Sequence, residues 1–146
     1  MHRLILLLSS LIAITTVALA CGDDEYRFDG DMGAVLTTLD ILRDANIHHM
    51  NMTLAKEDAQ NDPQWIDKVR NSRTAVAAVD WPEKLDGLAE DYLANSALFE
   101  AALSDDNVRM ASITVVATHV AYHALYDESF EMLAQHFGTT YGGSHD

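Results

Sequence analysis

The residues best suited to chemistry in this chain are four histidines in two short clusters that lie far apart in the sequence. His48 and His49 belong to the segment IHHMNM, and His119 and His123 belong to the segment HVAYH. The second pair has i, i+4 spacing, which brings two imidazoles to one face of a helix and lets both reach one ion. Met52 adds a thioether beside the first pair. Imidazole with thioether and no thiolate favours copper, with zinc or nickel possible through imidazole.

Each of these residues also has a more ordinary interpretation. A single histidine on an apolar helix face, such as His49, is often a hydrogen-bonded core residue. Met50 and Met52 are suited to filling gaps in a core, because the methionine side chain is flexible and unbranched. The metal-site hypothesis therefore depends on whether the two clusters meet in space.

The elements that must position these residues are helices. Apolar residues recur every three or four positions, which predicts a first helix over about 31–59, a second that begins at Pro63 and runs to about 79, a third that follows the break at Trp81-Pro82 and runs to about 103, and a fourth over 106–137. Asp62-Pro63 and Trp81-Pro82 mark two of the boundaries, SDDN provides the next cap, and Gly138 ends the last helix. Four amphipathic helices with short connections predict an all-α, antiparallel up-down-up-down four-helix bundle over residues 31–138, followed by a disordered tail at 139–146.

The predicted helix ends allow the two histidine clusters to be aligned. If the first and last helices are antiparallel, position 119 faces about 47 and position 123 faces about 43, within roughly one helical turn. His119 is thus expected to lie level with His48 and His49. The helical spacing also places His49 on the core line of the first helix, while His48 shares a flank with Met52.

The predicted metal ligands share two adjacent helices and one level of the bundle. They are His48, His49, Met52, His119 and His123. One turn beyond His123, Asp127 is predicted to orient the His123 ring through its second nitrogen, as carboxylates near metal sites often do.

The first twenty residues have the layout of a secretory signal. Arg3 is followed by an apolar run from residue 4 to residue 20, and small residues precede Cys21. The alternative is a transmembrane anchor, for which seventeen residues are at the short limit. The segment resembles a bacterial lipoprotein signal, in which the cysteine becomes lipidated. This resemblance implies a signal peptide at 1–20, a flexible acidic tether at 21–30, and lipid anchoring on the periplasmic side, with the outer membrane favoured because Gly22 follows the cysteine.

Lipidation of Cys21, the one cysteine in the chain, would leave no free thiol. Disulfides and thiolate metal ligands would then be excluded. The formal net charge is −14, and removing the first twenty residues takes away one positive charge, Arg3, and leaves −15. Such an acidic surface is repelled by nucleic acid and by anionic membrane faces.

The end of the chain resembles the last helix of the cytochrome c′/b562 type of four-helix bundle. The segment AYH ends in His123, at the position of the haem ligand, and Tyr126 follows three residues later. The resemblance implies a non-covalent, b-type haem, because the haem-linking cysteines are missing, and it points to Met32 as the second ligand. The last helix continues further past His123 than in that family, and a haem between His49 and His123 fits the helix levels better.

Other classes of site lack their motifs. The chain has neither the His-x-x-x-Glu pair nor the Glu-x-x-His motif of di-iron bundles, and it has no Gly-x-Ser-x-Gly turn for a nucleophile. We therefore expect a protein without enzymatic activity. Three functions stay open: metal sequestration, delivery or sensing; electron transfer or gas binding through haem; and a cofactor-free interaction or structural role in the envelope, with any protein partner unknown.

Overall fold

The computed structural model of the chain describes residues 30–142. The predicted signal peptide at 1–20, the lipidation site Cys21, the rest of the tether up to residue 29 and the last four residues of the predicted tail lie outside the described residues. Within the described part, no helix is both long and apolar enough to cross a membrane.

The described residues form five helices and no strand: α1 Met32–Ala45, α2 Ile47–Leu54, α3 Gln64–Ala77, α4 Glu83–Ser104 and α5 Val108–His136. The prediction of an all-helical chain is confirmed over these residues. The side chain of Asn107 caps α5 by accepting a hydrogen bond from the Met110 amide at 3.1 Å. Pro63 and Pro82 directly precede α3 and α4, and Gly138, with φ +64°, follows the end of α5.

The predicted first helix was wrong in one important respect, because it breaks at Asn46 and ends at Leu54 rather than at residue 59. Asn46 adopts the left-handed conformation (φ 57°, ψ 46°), and its amide donates to the Arg43 carbonyl at 3.0 Å. Asparagine is one of the few residues with a Cβ that tolerates this conformation. A new helix therefore begins at Ile47, and its side chains are rotated about the helix axis relative to a straight continuation of α1.

The break moves every later core position by one residue. Continuation of α1 would have buried positions 46, 49 and 53, whereas the buried residues are Ile47, Met50 and Leu54. His49, predicted to lie on the core line, is instead exposed. Met50 fills the core position in its place and is 1% exposed.

The helices pack as four units around a common core, with α1 and α2 together forming the first unit. This unit packs on α3 through α1 and on α5 mainly through α2, and α4 packs on both α3 and α5. Two apolar clusters fill the interior. The first core cluster comprises Val35, Leu39, Leu42, Val76, Trp81, Leu85, Ala89, Tyr92, Ala121, Leu125, Met132 and Leu133. The second core cluster comprises Ala45, Ile47, Met50, Leu54, Trp65, Val69, Phe99, Ala102, Leu103, Ala111 and Val115.

Small hydroxyl residues separate the two core clusters along three of the helices. Ser72, Ser96 and Thr118 are fully buried, and each donates to a backbone carbonyl of its own helix. Their hydrogen bonds are therefore satisfied without a partner from another helix. The Ser72 hydroxyl also lies 2.6 Å from the Tyr92 hydroxyl, and burial raises the pKa of Tyr92 to about 12. This layer lies beside His119, which directly follows Thr118.

Candidate metal centre

Three histidines converge where α2 packs on α5. His48 Nδ1 lies 3.0 Å from His119 Nε2, and His119 Nε2 lies 3.1 Å from His123 Nε2. One nitrogen from each ring can be chosen so that all three lie within 4.8 Å of one another. We call these three residues the histidine cluster. They are the one group of three or more histidine, cysteine, aspartate or glutamate side chains within the described residues that could hold a metal ion.

The local helical structure explains how the cluster forms. His119 and His123 lie one turn apart on α5, so their rings project from the same face. His48 is the second residue of α2, directly after the break at Asn46, and α2 packs on α5. His48 is exposed, whereas His119 and His123 are half-buried. The cluster thus lies at the surface of the bundle, with one side open to solvent.

The contacts within the cluster cannot all be satisfied by hydrogen bonds between neutral rings. His119 Nε2 is close to both His48 Nδ1 and His123 Nε2. A ring nitrogen carries either one hydrogen or one lone pair, so it makes one good hydrogen bond of this kind. A cation among the three rings would use a lone pair from each of them and would remove this conflict.

The surroundings of His119 favour its neutral form, because they lower its pKa. Burial lowers the pKa of His119, and the neighbouring His123 and His48 lower it further because a second positive charge so close would be repelled. Metal binding requires the neutral form of histidine. His119 is therefore held in the protonation state that a metal ligand needs.

Two polar side chains support the rings from outside the cluster. Asp127 Oδ2 lies 3.5 Å from His123 Nδ1, the ring nitrogen that does not face His119. The other oxygen, Oδ1, is buried and has no hydrogen-bond partner within the described part of the chain. Asn51 Nδ2 lies 3.5 Å from His119 Nδ1. Sequence reasoning missed Asn51, although its position three residues after His48 places both on one face of α2.

The structure brings together three of the five predicted ligands, His48, His119 and His123. His49 is exposed and is not part of the histidine cluster. Met52 is 55% exposed and lies one turn after His48 on α2. Met32, the alternative haem ligand, is half-buried at the start of α1 and packs against the first core cluster.

Aromatic side chains line one side of the cluster. The Tyr122 ring stands edge-on to His123 with centroids 5.1 Å apart and stacks on Tyr126 at 5.3 Å. Tyr126 in turn contacts Phe130 at 4.8 Å. Burial raises the pKa of Tyr122 and that of Tyr126, so both phenols stay neutral at physiological pH. The chemistry available to three imidazoles at this solvent-accessible position is cation binding.

The comparisons with known proteins give no assignment. No protein-family model matches the chain, and neither a curated protein nor a solved structure matches it. The resemblance of the last helix to the cytochrome c′/b562 type therefore stays a prediction. The class that the structure itself defines is an all-helical protein in which three histidines form a possible metal site.

Proposed function

We propose that this chain binds one transition metal ion through His48, His119 and His123. The observation that carries the proposal is the convergence of three ring nitrogens from two helices, with separations of 3.0 and 3.1 Å around His119 Nε2. Two nitrogens bound to one tetrahedral ion at 2.0–2.1 Å would lie roughly 3.3 Å apart. Small rotations of the rings would open the cluster to that separation.

Copper is our first choice of metal. Three imidazoles are compatible with copper, zinc and nickel, and a thioether would shift the preference towards the cuprous ion. Met52 is one turn from His48 and mostly exposed, so its flexible side chain is free to move towards an ion held by the cluster. The open side of the site suits uptake and release, and we propose sequestration, delivery or sensing as the role, without enzymatic turnover.

The proposed setting is the periplasmic side of a bacterial envelope. The lipoprotein-like signal and Cys21 support this setting, with an acidic segment linking the lipid to the bundle. A lipid anchor would hold the metal site near the membrane surface without a transmembrane helix. The outer membrane is the favoured location because of Gly22.

We also propose that the four units run up-down-up-down. Lys84 near the start of α4 forms an ion pair with Glu128 towards the end of α5, which supports opposite directions for these helices. The short connections between α3 and α4 and between α4 and α5 support the same arrangement. Opposite directions for the first and last units would explain why residues near 48 meet residues near 119.

The direct test of the proposed function is elemental analysis by mass spectrometry. The protein would be expressed with all 146 residues of its sequence in a metal-replete host and purified in a mild detergent. We expect copper, or else zinc or nickel, near one ion per chain. Iron near one per chain with a Soret absorption band would instead support haem. Protein that stays metal-free after reloading would contradict both and would favour a cofactor-free envelope role.

Substitutions would then locate the metal. His119→Ala with His123→Ala removes two of the three converging imidazoles, so we expect affinity to fall by more than about 100-fold, beyond the usual effect of a residue outside the ligand set. His49→Ala is the matched control, because His49 is exposed and lies outside the cluster. Equal affinities for the double variant and the control would rule out the histidine cluster as the site.

A further inference from the structure

A second feature of α5 is a row of solvent-exposed apolar residues on a face next to the histidines. Met110, Ile113 and Val120 are 44%, 56% and 64% exposed, and Ala117 and Ala124 are exposed as well. The intervals between these five residues are three, four, three and four. We call this row the α5 seam. Such alternation is the spacing of a and d positions in a coiled coil, which normally pack against another helix.

Further exposed apolar residues lie on α4 and α5. Val116 on α5 and Leu98 on α4 are 52% and 62% exposed. A groove of about 320 Å³ runs along the seam between α4 and α5, and its α4 side is lined by Leu88, Asp91 and Asn95. Apolar side chains scattered singly on a surface need no explanation, but a contiguous row of them usually marks an interaction site.

The charge distribution indicates what kind of partner would fit. The α5 sequence contains no aspartate, glutamate, lysine or arginine from residue 110 to residue 126, although the chain as a whole has 23 acidic residues and a formal net charge of −14. Two copies of so acidic a chain repel each other over most of their surfaces. The neutral α5 seam is where two copies approach with least repulsion. A basic partner would instead be attracted to the acidic faces.

We propose that the α5 seam docks a second copy of this chain, with the two α5 helices packed against each other. A helix that carries the complementary heptad spacing is present in every copy, and a two-fold interface uses the same surface on both partners. The seam covers two heptads, or roughly 21 Å of helix. Its larger residues, Ile113 and Val120, alternate with the small Ala117 and Ala124, so that side chains of one helix enter the gaps of the other. The proposal does not depend on metal binding.

The first test is the mass of the protein in solution. The protein expressed with all 146 residues would be examined in a mild detergent by sedimentation velocity, with detergent mass subtracted and with metal either present or removed. We expect twice the mass of one chain in both conditions. A single-chain mass at concentrations up to about 100 μM, or a dimer that needs metal, would overturn the proposal.

A pair of variants tests the surface itself. Ile113→Glu with Val120→Glu places charges at two exposed seam positions, and we expect a single-chain mass with an unchanged helical circular dichroism spectrum. Leu36→Glu is the control, because Leu36 is an exposed leucine on α1, 41% exposed and outside the seam. A dimer that persists in the double variant, or one that the control also abolishes, would show that the seam is not the interface.

Cross-linking in intact cells gives a test that avoids detergent. Ala117 lies at the centre of the seam, so Ala117→Cys would bring two thiols together across a two-fold axis in either relative direction of the helices. We expect a disulfide-linked pair of chains on a non-reducing gel. Leu36→Cys on α1, at the exposed control position outside the seam, should give far less of it. Equal cross-linking at both positions, or none at residue 117, would contradict the proposal.

Discussion

The first core cluster and the histidine cluster both include residues from the same stretch of α5. The core cluster consists of apolar side chains, whereas the histidine cluster consists of imidazoles. Leu125 is fully buried among apolar neighbours, whereas His123, two residues earlier, is half-buried and lies 3.1 Å from another ring nitrogen. Apolar side chains pack together without needing hydrogen-bond partners or a ligand. The three imidazoles, in contrast, cannot all form hydrogen bonds with one another. The core supplies stability, and the histidine cluster is the region that the proposed function uses for binding. Substitutions in each region should separate these two roles.

The largest expected effect on stability is in the core. Phe99→Ala empties a fully buried position in the second core cluster. Removal of a buried phenylalanine leaves a cavity, and we expect the free energy of unfolding to fall by about 3–5 kcal/mol, measured by urea denaturation. Phe137→Ala is the matched control, because Phe137 is 61% exposed, and its effect should be within about 0.5 kcal/mol. Similar losses in the free energy of unfolding for both variants would mean that the burial of Phe99 does not determine its contribution to stability.

The second prediction concerns the carboxylate that supports the cluster. Asp127→Asn removes the charge near His123 Nδ1 and keeps the shape of the side chain. We expect metal affinity to fall by about 10–100-fold, the usual effect of losing a carboxylate that orients a ligand histidine, as measured by competition with a chelator. Stability of the metal-free protein should change much less than in Phe99→Ala.

The control for that prediction separates position from charge. Glu131→Gln removes one negative charge from the next turn of α5, at an exposed position. If Asp127 acts by orienting His123, Glu131→Gln should leave the affinity nearly unchanged. Equal losses in the two variants would attribute the effect to overall charge and would remove Asp127 from the site.

The third prediction tests the break that places His48. Alanine at position 46 must adopt the left-handed conformation of Asn46, at a cost of about 1 kcal/mol or more, whereas glycine adopts it freely. We therefore expect Asn46→Ala to lower the free energy of unfolding by about 1 kcal/mol relative to Asn46→Gly. It should also weaken metal binding, because relief of that strain by straightening the helix would move His48. If Asn46→Ala were as stable as Asn46→Gly and bound metal with unchanged affinity, the break would not be what sets the position of His48.

Sequence reasoning located the later helices because their boundaries depend on local chemistry. The proline at Asp62-Pro63 precedes α3, the one at Trp81-Pro82 precedes α4, and Asn107 caps α5 through its own side chain. These signals act within a few residues, so a sequence shows them directly. The proximity of the two histidine segments could be predicted from the order and lengths of the helices, which do not depend on side-chain detail.

The details that failed depend on information that is not local. Asparagine occurs both inside helices and in left-handed positions, so nothing in the spacing of α1 distinguishes Asn46 as a break. The one-residue shift then exchanged the roles of neighbours, burying Met50 and exposing His49. His48, predicted on a flank, became the residue that faces α5. A single backbone conformation thus decided which histidine joins the cluster.

The smallest expected effect is a pH dependence of the metal-free protein, and its sign distinguishes the histidine cluster from the core. Burial, followed by His123 and His48, lowers the pKa of His119 in the folded state below its usual value near 6.5. Between the lowered folded pKa and about 6.5, the unfolded chain binds more protons at this site than the folded chain does. The contribution of His119 to stability therefore declines as the pH falls through that window and is constant above it.

The size of this effect should be modest, roughly a few tenths of a kcal/mol, because His119 is only half-buried and solvent screens its neighbours. Urea denaturation between pH 5 and pH 8 should show a steeper loss of stability at low pH in the metal-free wild type than in His119→Gln. Identical pH profiles would contradict the prediction. Bound metal should enlarge the difference, because protons and the ion compete for the same lone pairs. The core offers no such competition, so a pH dependence that disappears with His119→Gln belongs to the histidine cluster.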